Sequence, residues 1–176
     1  MASELIVQTL KGPTSGANAN KVIVPSGQTL TAPGIILQIL EFSPENDTLT
    51  TSTSFVDTLH TLSITPSSTS SKILITFDAP IRLSGDNRCR GGIRFQRDGS
   101  SLFTGYVEER QAKTLNDGSA SEFTNPTVKT FLDTPNTTSA VTYTVQHCAT
   151  VSLVTSRVYG NLTGGVSVLR LMEIAG

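Results

Sequence analysis

The stretch GIRFQRDGSSLFTGY, residues 92–106, decides the fold class of this chain. Two runs with strand character, residues 92–97 and 101–106, flank the dipeptide Asp98-Gly99. Glycine accepts the positive φ that a short hairpin turn requires, and aspartate is a frequent partner for it. The stretch therefore predicts a β-hairpin of two antiparallel strands.

Short apolar runs of the same kind continue along the chain, separated by clusters of Ser, Thr, Gly, Pro and Asn. Residues 35–42 (IILQILEF) are almost all apolar, which predicts a strand buried on both faces. Residues 108–125 fit either a short helical turn or a polar loop. Further strands are predicted at residues 49–57, 59–65, 72–77, 127–132, 140–149 and 166–174. Many short strands without a helical period predict an all-β, jelly-roll-like antiparallel sandwich.

Alternation within two of these strands predicts which residues face the core. In residues 59–65 the inward face is expected to carry His60, Leu62 and Ile64. In the last strand the two faces both hold apolar residues, which suits a strand inside a sandwich or an oligomer interface. One face carries Val166, Val168, Arg170, Met172 and Ile174, and the other carries Ser167, Leu169, Leu171 and Glu173.

Composition excludes several partners. Charged residues make up 15% of the 176 residues and the net charge is -1, so no basic patch for nucleic acid or an anionic membrane is expected. Ser and Thr supply about a quarter of the chain, and their hydroxyls keep a sheet surface polar without charge. No apolar run approaches the roughly 20 residues of a spanning helix, and the N-terminus does not resemble a signal peptide, so we expect no membrane insertion and assembly in a cytoplasm.

The first 34 residues differ from the remainder because glycines and prolines cut them into short pieces. Residues 4–10 (ELIVQTL) and 21–24 (KVIV) are strand-like but too short to fold a core alone. We expect residues 1–34 to form an arm for attachment or oligomerisation and residues 35–176 to form the sandwich domain; packing of the arm within its own chain is the alternative. A homotrimer would bring the arm's apolar side chains together around an axis: Leu5, Val7, Leu10, Val22 and Val24.

The inventory of reactive side chains is small, with two histidines and two cysteines in the chain. His147 and Cys148 are adjacent in a predicted strand and should point to opposite faces, which disfavours a Cys-His pair. We interpret Cys89 and Cys148 as thiols without a disulfide. Zinc, calcium and phosphate-binding spacings do not occur. We therefore expect no catalytic residues, no metal and no cofactor.

Polar clusters receive structural interpretations. The arginines near residues 88–97, together with Glu108, Glu109 and Arg110, fit either a salt-bridge belt between subunits or a solvated rim of mixed charge. Three glycosylation-type triplets begin at Asn46, Asn136 and Asn161, and we interpret them as turns.

Several pieces of the chain carry a resemblance in their order and spacing. ELIVQTLKGPTSGANANKVIVPSGQTLTAPG, IILQILEF, TSTSFVDT, LSITPSSTSSKILI, FQRDG, FLDTPNTTSAVTYTVQ and the closing VLRLMEIAG cover nearly the whole sequence. Together they are similar to small tail-fibre-like and virion proteins of tailed phages of marine bacteria, cyanophages especially. The resemblance implies a non-enzymatic component of a virion that associates with other virion proteins.

Two roles follow from that expectation. The first is a fibre-like tail appendage whose loops touch a glycan or protein of the host surface, with the N-terminal arm as its attachment. The second is a decoration or cement protein of the head, and an enzyme is the remaining, least supported reading. The candidate exposed loops are residues 84–92 and 115–125, with Asp86, Asn87, Arg88, Asn116, Asp117 and Phe123 as candidate contact residues.

Overall fold

The structure, a computed structural model, describes residues 14–16, 32–85, 89–107, 121–150, 154–161 and 166–176, with the side chains of residues 106, 107 and 121–123 left out of that description. The chain divides into two compact units, Met1–Ala32 and Pro33–Gly176. All strands of the described residues lie in the second unit.

The described residues form ten strands and no helix. The strands are β1 (Ile36–Phe42), β2 (Thr48–Thr50), β3 (Val56–Ile64), β4 (Lys72–Gly85), β5 (Gly91–Arg97), β6 (Ser100–Val107), β7 (Ser121–Asp133), β8 (Val141–Ala149), β9 (Thr155–Val158) and β10 (Val168–Ile174).

The strands form two antiparallel sheets. The six-stranded sheet has the order β1-β10-β4-β9-β2, with β7 also paired to β4, and the four-stranded sheet has the order β3-β8-β5-β6. Eight of the strands have seven or more residues. When these eight are numbered from one to eight along the chain, their order is 1-8-3-6 in the six-stranded sheet and 2-7-4-5 in the four-stranded sheet. This is the strand order of a jelly roll, a long hairpin rolled into a sandwich. The predicted all-β, jelly-roll-like antiparallel sandwich is confirmed.

The hairpin predicted at Asp98-Gly99 is the tip of that roll. Asp98 has φ 48° and Gly99 has φ 80°, as a two-residue type I′ turn requires, and Arg97 pairs with Ser100 across it. The amide of Asp98 donates to the carbonyl of Thr142 at 2.9 Å, and the Asp98 carboxylate accepts from the Thr142 amide at 2.9 Å. The turn is thereby attached to β8.

In the six-stranded sheet, two neighbouring positions are each occupied by two short strands that lie end to end, and the two gaps lie side by side. Along one edge of β4, β10 pairs with residues 72–78 and β9 pairs with residues 81–84, so β9 and β10 lie end to end. Beside them β1 pairs with β10, and β2 pairs with β9. The two connecting segments bond to each other, since Asn161 donates its amide to the carbonyl of Pro44 at 2.9 Å and Gly160 donates to Oδ1 of Asp47 at 2.8 Å.

Proline is accommodated in β4 because of this interruption. Pro80 lies opposite Pro126 of β7, and neither can donate to the other strand. The Pro80 carbonyl points instead toward the interruption, where it accepts from the Tyr159 amide at 3.1 Å. The N–H that proline lacks would face the gap between β9 and β10, so no ladder bond is lost.

The core lies between the sheets and follows the alternation of the strands. The inward face of β4 is fully buried from Ile73 to Leu83. His60 and Ile64 of β3 are buried and Leu62 is half-buried, as predicted. Of the two faces predicted for the last strand, the inward and buried one carries Ser167, Leu169, Leu171 and Glu173. His147 and Cys148 point to opposite sides of β8, as expected from their adjacency: His147 contacts Ser156 of the other sheet, whereas Cys148 lies beside Phe55 on the outer side.

Some predicted strands differ from those observed. Residues 35–42 were expected to be buried on both faces, but β1 is the outermost described strand of its sheet, and its outward residues Ile36 and Ile39 are about half exposed. Residues 49–57 are not one strand, since they contribute to β2 and to the start of β3. β4 and β7 are longer than predicted because each pairs with the other along its whole length. The strands predicted in residues 1–34 lie outside the described residues, and the role of that arm stays a prediction.

Candidate interaction surface

An apolar row crosses the outer side of the six-stranded sheet. Ile39 of β1 pairs with Met172 of β10, Met172 pairs with Leu74 of β4, and Leu74 pairs with Leu132 of β7. Directly opposed side chains on one face lie about 5 Å apart, so the four residues form a continuous row. Ile39 is 52% exposed and Leu132 is 47% exposed.

Further apolar side chains extend this row on the same side. Ile36 pairs with Ile174 next to it. Val128 precedes Leu132 by two outward positions on β7, beyond Thr130, and lies opposite Asp78. Ile36 and Val128 are each more than half exposed. We call the set the outer apolar face: Ile36, Ile39, Leu74, Val128, Leu132, Met172 and Ile174.

The charges that border the outer apolar face are few and of both signs. Glu41 and Arg170, in the neighbouring row, form an ion pair of 2.5 Å between Nε and Oε1. Both side chains are solvent-exposed, so the pair contributes only about 0–1 kcal/mol. Lys72 lies opposite Ile174. A mixed border of this kind does not repel a second surface with the same pattern.

The outer side of the four-stranded sheet is polar instead. Thr61 donates to Thr144 at 3.3 Å between hydroxyls, and Ser63 and Thr142 share a hydrogen bond of 2.7 Å. These cross-strand hydroxyl pairs satisfy one another and stay accessible to water. The two outer sides of the sandwich therefore differ in chemistry.

A hydrogen-bonded chain continues the polar side toward the segment before β3. Arg94 donates from Nε to Oε1 of Gln146 at 2.8 Å, and Gln146 donates from Nε2 to Oδ1 of Asp57 at 2.6 Å. The Arg94 guanidinium lies 4.4 Å from the ring centroid of Phe55. All of these groups have partners, so the chain is a structural element and not a preformed anion site.

Buried titratable groups lie between the sheets. Burial lowers the pKa of His60 to about 4, with a smaller contribution from His147, and burial lowers the pKa of His147 to about 4. Burial acts to raise the pKa of Glu173, but hydrogen bonds from Ser67 and Gln38 oppose it, and the pKa is held below its ordinary value. Burial, followed by the hydrogen bond to Asp133, raises the pKa of Tyr143.

The contact residues predicted from the sequence fall mostly outside the described residues. This is the case for Leu5, Val7, Leu10, Val22 and Val24 of the arm and for Asp86, Asn87, Arg88, Asn116 and Asp117 of the loops. The prediction of a loop at Phe123 is wrong: Phe123 lies in β7 opposite Leu83, because β7 pairs with β4 from Ser121 onward, and its side chain is not described. The other assignments stay predictions.

The outer apolar face was missed by the sequence analysis, although one signal was available. Apolar residues on both faces of the last strand indicated an interface, and Met172 and Ile174 belong to the outer one. The other members come from strands far apart in the sequence, and only the register brings them together.

The described ranges contain neither a cluster of metal-binding side chains nor a long apolar helix. Within residues 32–85 and the later described segments, no group of three or more His, Cys, Asp and Glu is placed to hold a metal ion. No helix there is long and apolar enough to cross a membrane. Cys89 and Cys148 are both buried and form no disulfide.

Comparison with known proteins identifies no family. No family model and no curated protein matches the chain. Among solved structures, the chain is similar to one described as "Structure of infectious bursal disease virus Gx strain", with 11% sequence identity and a TM-score of 0.27. The match covers 88% of this chain and 46% of that chain, so this chain spans less than half the length of the other.

Proposed function

We propose that this chain is a non-enzymatic structural component of a bacteriophage virion, a fibre-like tail appendage that assembles with copies of itself. The observation that carries the proposal is the outer apolar face on a jelly-roll sandwich whose opposite side is polar. Jelly rolls are frequent among particle-forming viral proteins, although lectins and cupins also use the fold. The resemblance to small virion proteins of marine phages supports the same reading.

A second copy of the chain is the proposed occupant of the outer apolar face. Four strands spaced about 4.8 Å apart and seven residues long present roughly 450 Å² in projection, which is of the same order as the ~800 Å² of accessible surface per partner in a standard interface. Covering a half-exposed Ile or Leu contributes about 1 kcal/mol. The mixed-charge border does not repel a neighbouring copy that covers this face in a trimer.

The N-terminal arm is proposed to attach the assembly to another virion protein, and the segments between β4 and β5 and between β6 and β7 are proposed to contact the host surface. A trimer is the proposed oligomer, because three arms would cover one another's strand edges.

A decoration protein of the head is the second candidate, and the exposed apolar side chains of the outer apolar face favour it. A sheet face can lie against a capsid surface as well as against a second copy. In that role the occupant of the face is a head protein, and the purified chain is monomeric.

The assembly proposal is tested with variants on the two sides of the sandwich. Ile39→Asp and Leu132→Asp place a charge on the outer apolar face, and Thr61→Asp places the same charge on the polar side as a matched control. Sedimentation velocity is expected to show an oligomer for the wild type and Thr61→Asp, and a folded monomer for the other two. A monomeric wild type, or a Leu132→Asp variant that assembles normally, would overturn self-association through this face.

The location of the protein is tested on intact particles. Immunogold labelling with mass-spectrometric copy counting is expected to place a few copies, in multiples of three, at the tail. Hundreds of copies on the head would overturn the appendage and support the decoration protein, and absence from purified particles would overturn both.

A further inference from the structure

Two histidines lie inside the sandwich at the level where the six-stranded sheet is interrupted. His147 of β8 is 0% exposed and His60 of β3 is 1% exposed. Val56 pairs with His147, and an irregularity between Asp57 and Thr61 adds residues to β3, which brings His60 close to His147 on the inward side. Both rings face the two halves of the interrupted strand.

Each ring bonds to one of those halves. Nε2 of His60 lies 2.6 Å from the hydroxyl of Ser167, which immediately precedes β10. Nδ1 of His147 lies 3.0 Å from the hydroxyl of Ser156 in β9. The histidines of the four-stranded sheet thus hold β9 and the start of β10 against the core.

The hydrogen bonds around His60 suit a neutral ring. The Thr58 hydroxyl donates to the carbonyl of Val145 at 2.8 Å, so its oxygen can only accept at the 3.3 Å contact with Nδ1 of His60. Nδ1 then carries the proton, and Nε2 accepts from Ser167. A second proton, on Nε2, would turn this bond into a contact between two donors unless the Ser167 hydroxyl rotates away.

His147 is less able to accept a charge. Its Nε2 is buried and has no hydrogen-bond partner in the structure, so protonation there would bury an unsatisfied cationic N–H. Among the described residues, the hydrogen-bond partners recorded for the two rings are the hydroxyls of Thr58, Ser156 and Ser167. The ring of Phe77 packs on His60, with the two centroids 5.0 Å apart. The one titratable group facing either ring is the other imidazole, and two positive charges there would repel.

We propose that these two histidines form an acid-sensitive lock, and that their protonation releases β9 and the start of β10 from the four-stranded sheet while the rest of the sandwich stays paired. The break is already present in the ladder at Ala79 and Pro80, so β9 and the start of β10 can leave β4 while the end of β10 stays paired with residues 72–75. The lowered pKa values of both rings agree with this geometry. The proposal does not depend on the function proposed above.

The first test uses the wild-type protein. The chain has two histidines, so an NMR titration shows two imidazole signals. Both are expected to stay neutral in the folded protein down to about pH 5. Titration of either ring near 6.5 while the protein is folded would overturn the lock.

The second test locates the opening by hydrogen exchange, corrected for the intrinsic effect of pH. The pKa of each ring is about 4 in the closed protein and 6.5 when the segment is open. For one such ring, lowering the pH from about 7.5 to about 5 raises the population of the open state about 30-fold. Residues 154–161 and 166–170 are expected to gain at least that much exchange. Residues 73–75, which pair with the end of β10, and residues 124–133 are expected to stay protected. Equal acceleration in all of these segments would overturn a local release.

Variants separate the histidines from other acid effects. His147→Gln, which cannot take a proton, is expected to lose about 30-fold of the acid-induced exchange, whereas Lys129→Gln, on β7, is the matched control and should keep it. A folded His147→Gln protein with unchanged acid-induced exchange would overturn the proposal. If that variant does not fold, the two wild-type measurements decide the proposal by themselves.

Discussion

Tyr143 of β8 donates its phenolic hydrogen to Oδ2 of Asp133 in β7 at 2.7 Å, and this bond joins the two sheets. Arg97 of β5 donates to the same oxygen at 2.6 Å. Tyr143 and Asp133 are both buried, so the carboxylate depends on these two donors in place of water. One inward carboxylate therefore links β7 to two strands of the opposite sheet.

Tyr143→Phe is expected to destabilise the fold by about 1–3 kcal/mol, because a buried carboxylate loses a donor while the ring still fills its space. Urea unfolding measures the change. Tyr159→Phe, at a half-buried tyrosine beneath the guanidinium of Arg157, is the matched control and should change stability by less than about 0.5 kcal/mol. Equal effects of the two variants would contradict a specific role for the Tyr143 hydroxyl.

Gly92→Ala is expected to destabilise the fold by about 1–3 kcal/mol through overpacking. A Cβ at this position would lie 2.8 Å from Cζ of Phe55 and 2.9 Å from Sγ of Cys148. In a double-mutant cycle with Phe55→Leu, part of the loss should be recovered, since the smaller side chain removes the closest atom. Thermal denaturation of the four proteins measures the coupling, and strict additivity would contradict the contact.

As the pH is lowered, the free energy of unfolding is expected to fall in two separate pH ranges. Each histidine has a folded pKa of about 4, below its ordinary 6.5, so the unfolded state binds more protons between these values. The contribution of the histidines to the free energy of unfolding is then fully present above about pH 6.5. It falls toward pH 4 with a slope of up to about 1.4 kcal/mol per pH unit for each ring. Denaturant unfolding at a series of pH values measures the slope, and a flat profile between pH 6.5 and pH 5 would contradict it.

Glu173 acts in the lower pH range, and its pKa is lowered like those of the histidines. Its lowered pKa means that its contribution is present above the ordinary value of 4.5 and is lost as the pH falls through the folded value. Glu173→Gln should therefore weaken the pH dependence below about pH 4.5 and leave the slope between pH 6.5 and pH 5 unchanged. The same unfolding series, run on this variant, distinguishes the two pH ranges.

Apolar residues on the two sides of one strand should differ in their contribution to the folded monomer. Leu171 is fully buried, so Leu171→Ala is expected to cost about 2–5 kcal/mol. Met172 belongs to the outer apolar face and is half-buried, so Met172→Ala should cost less than half as much while weakening self-association. Urea unfolding at low protein concentration, followed by sedimentation velocity, separates the two effects, and equal losses of stability would contradict the assignment of faces.

Local patterns were sufficient for the features that depend on neighbouring residues. The Asp98-Gly99 turn follows from the ability of glycine to adopt positive φ. The inward positions of β3 and the division of β10 into two faces follow from the two-residue period of a strand. The three residues at which turns were expected, Asn46, Asn136 and Asn161, lie between strands, and Asn136 has φ 54°.

The sequence patterns gave a wrong prediction where pairing with other strands determines whether a side chain is buried. Ile36 and Ile39 have the composition of a fully buried strand, yet β1 lies at the outside of the described sheet, and their side chains are exposed. Nothing in the sequence of residues 35–42 indicates that this strand lies at the outside of the sheet. Similarly, the sequence around Ser156 and Ser167 does not show that these hydroxyls meet His147 and His60.

The sequence by itself determined that this protein is built from short antiparallel strands with known faces, because the alternation of side chains and the φ of a turn residue are local properties. Only the tertiary structure decided which strands pair, that β1-β2 and β9-β10 are interrupted at one level, and that Ile39, Leu74, Leu132 and Met172 form one exposed row. The physical reason is that every strand offers the same backbone donors and acceptors. Long-range packing selects the partner and the register, and these decide which apolar side is covered.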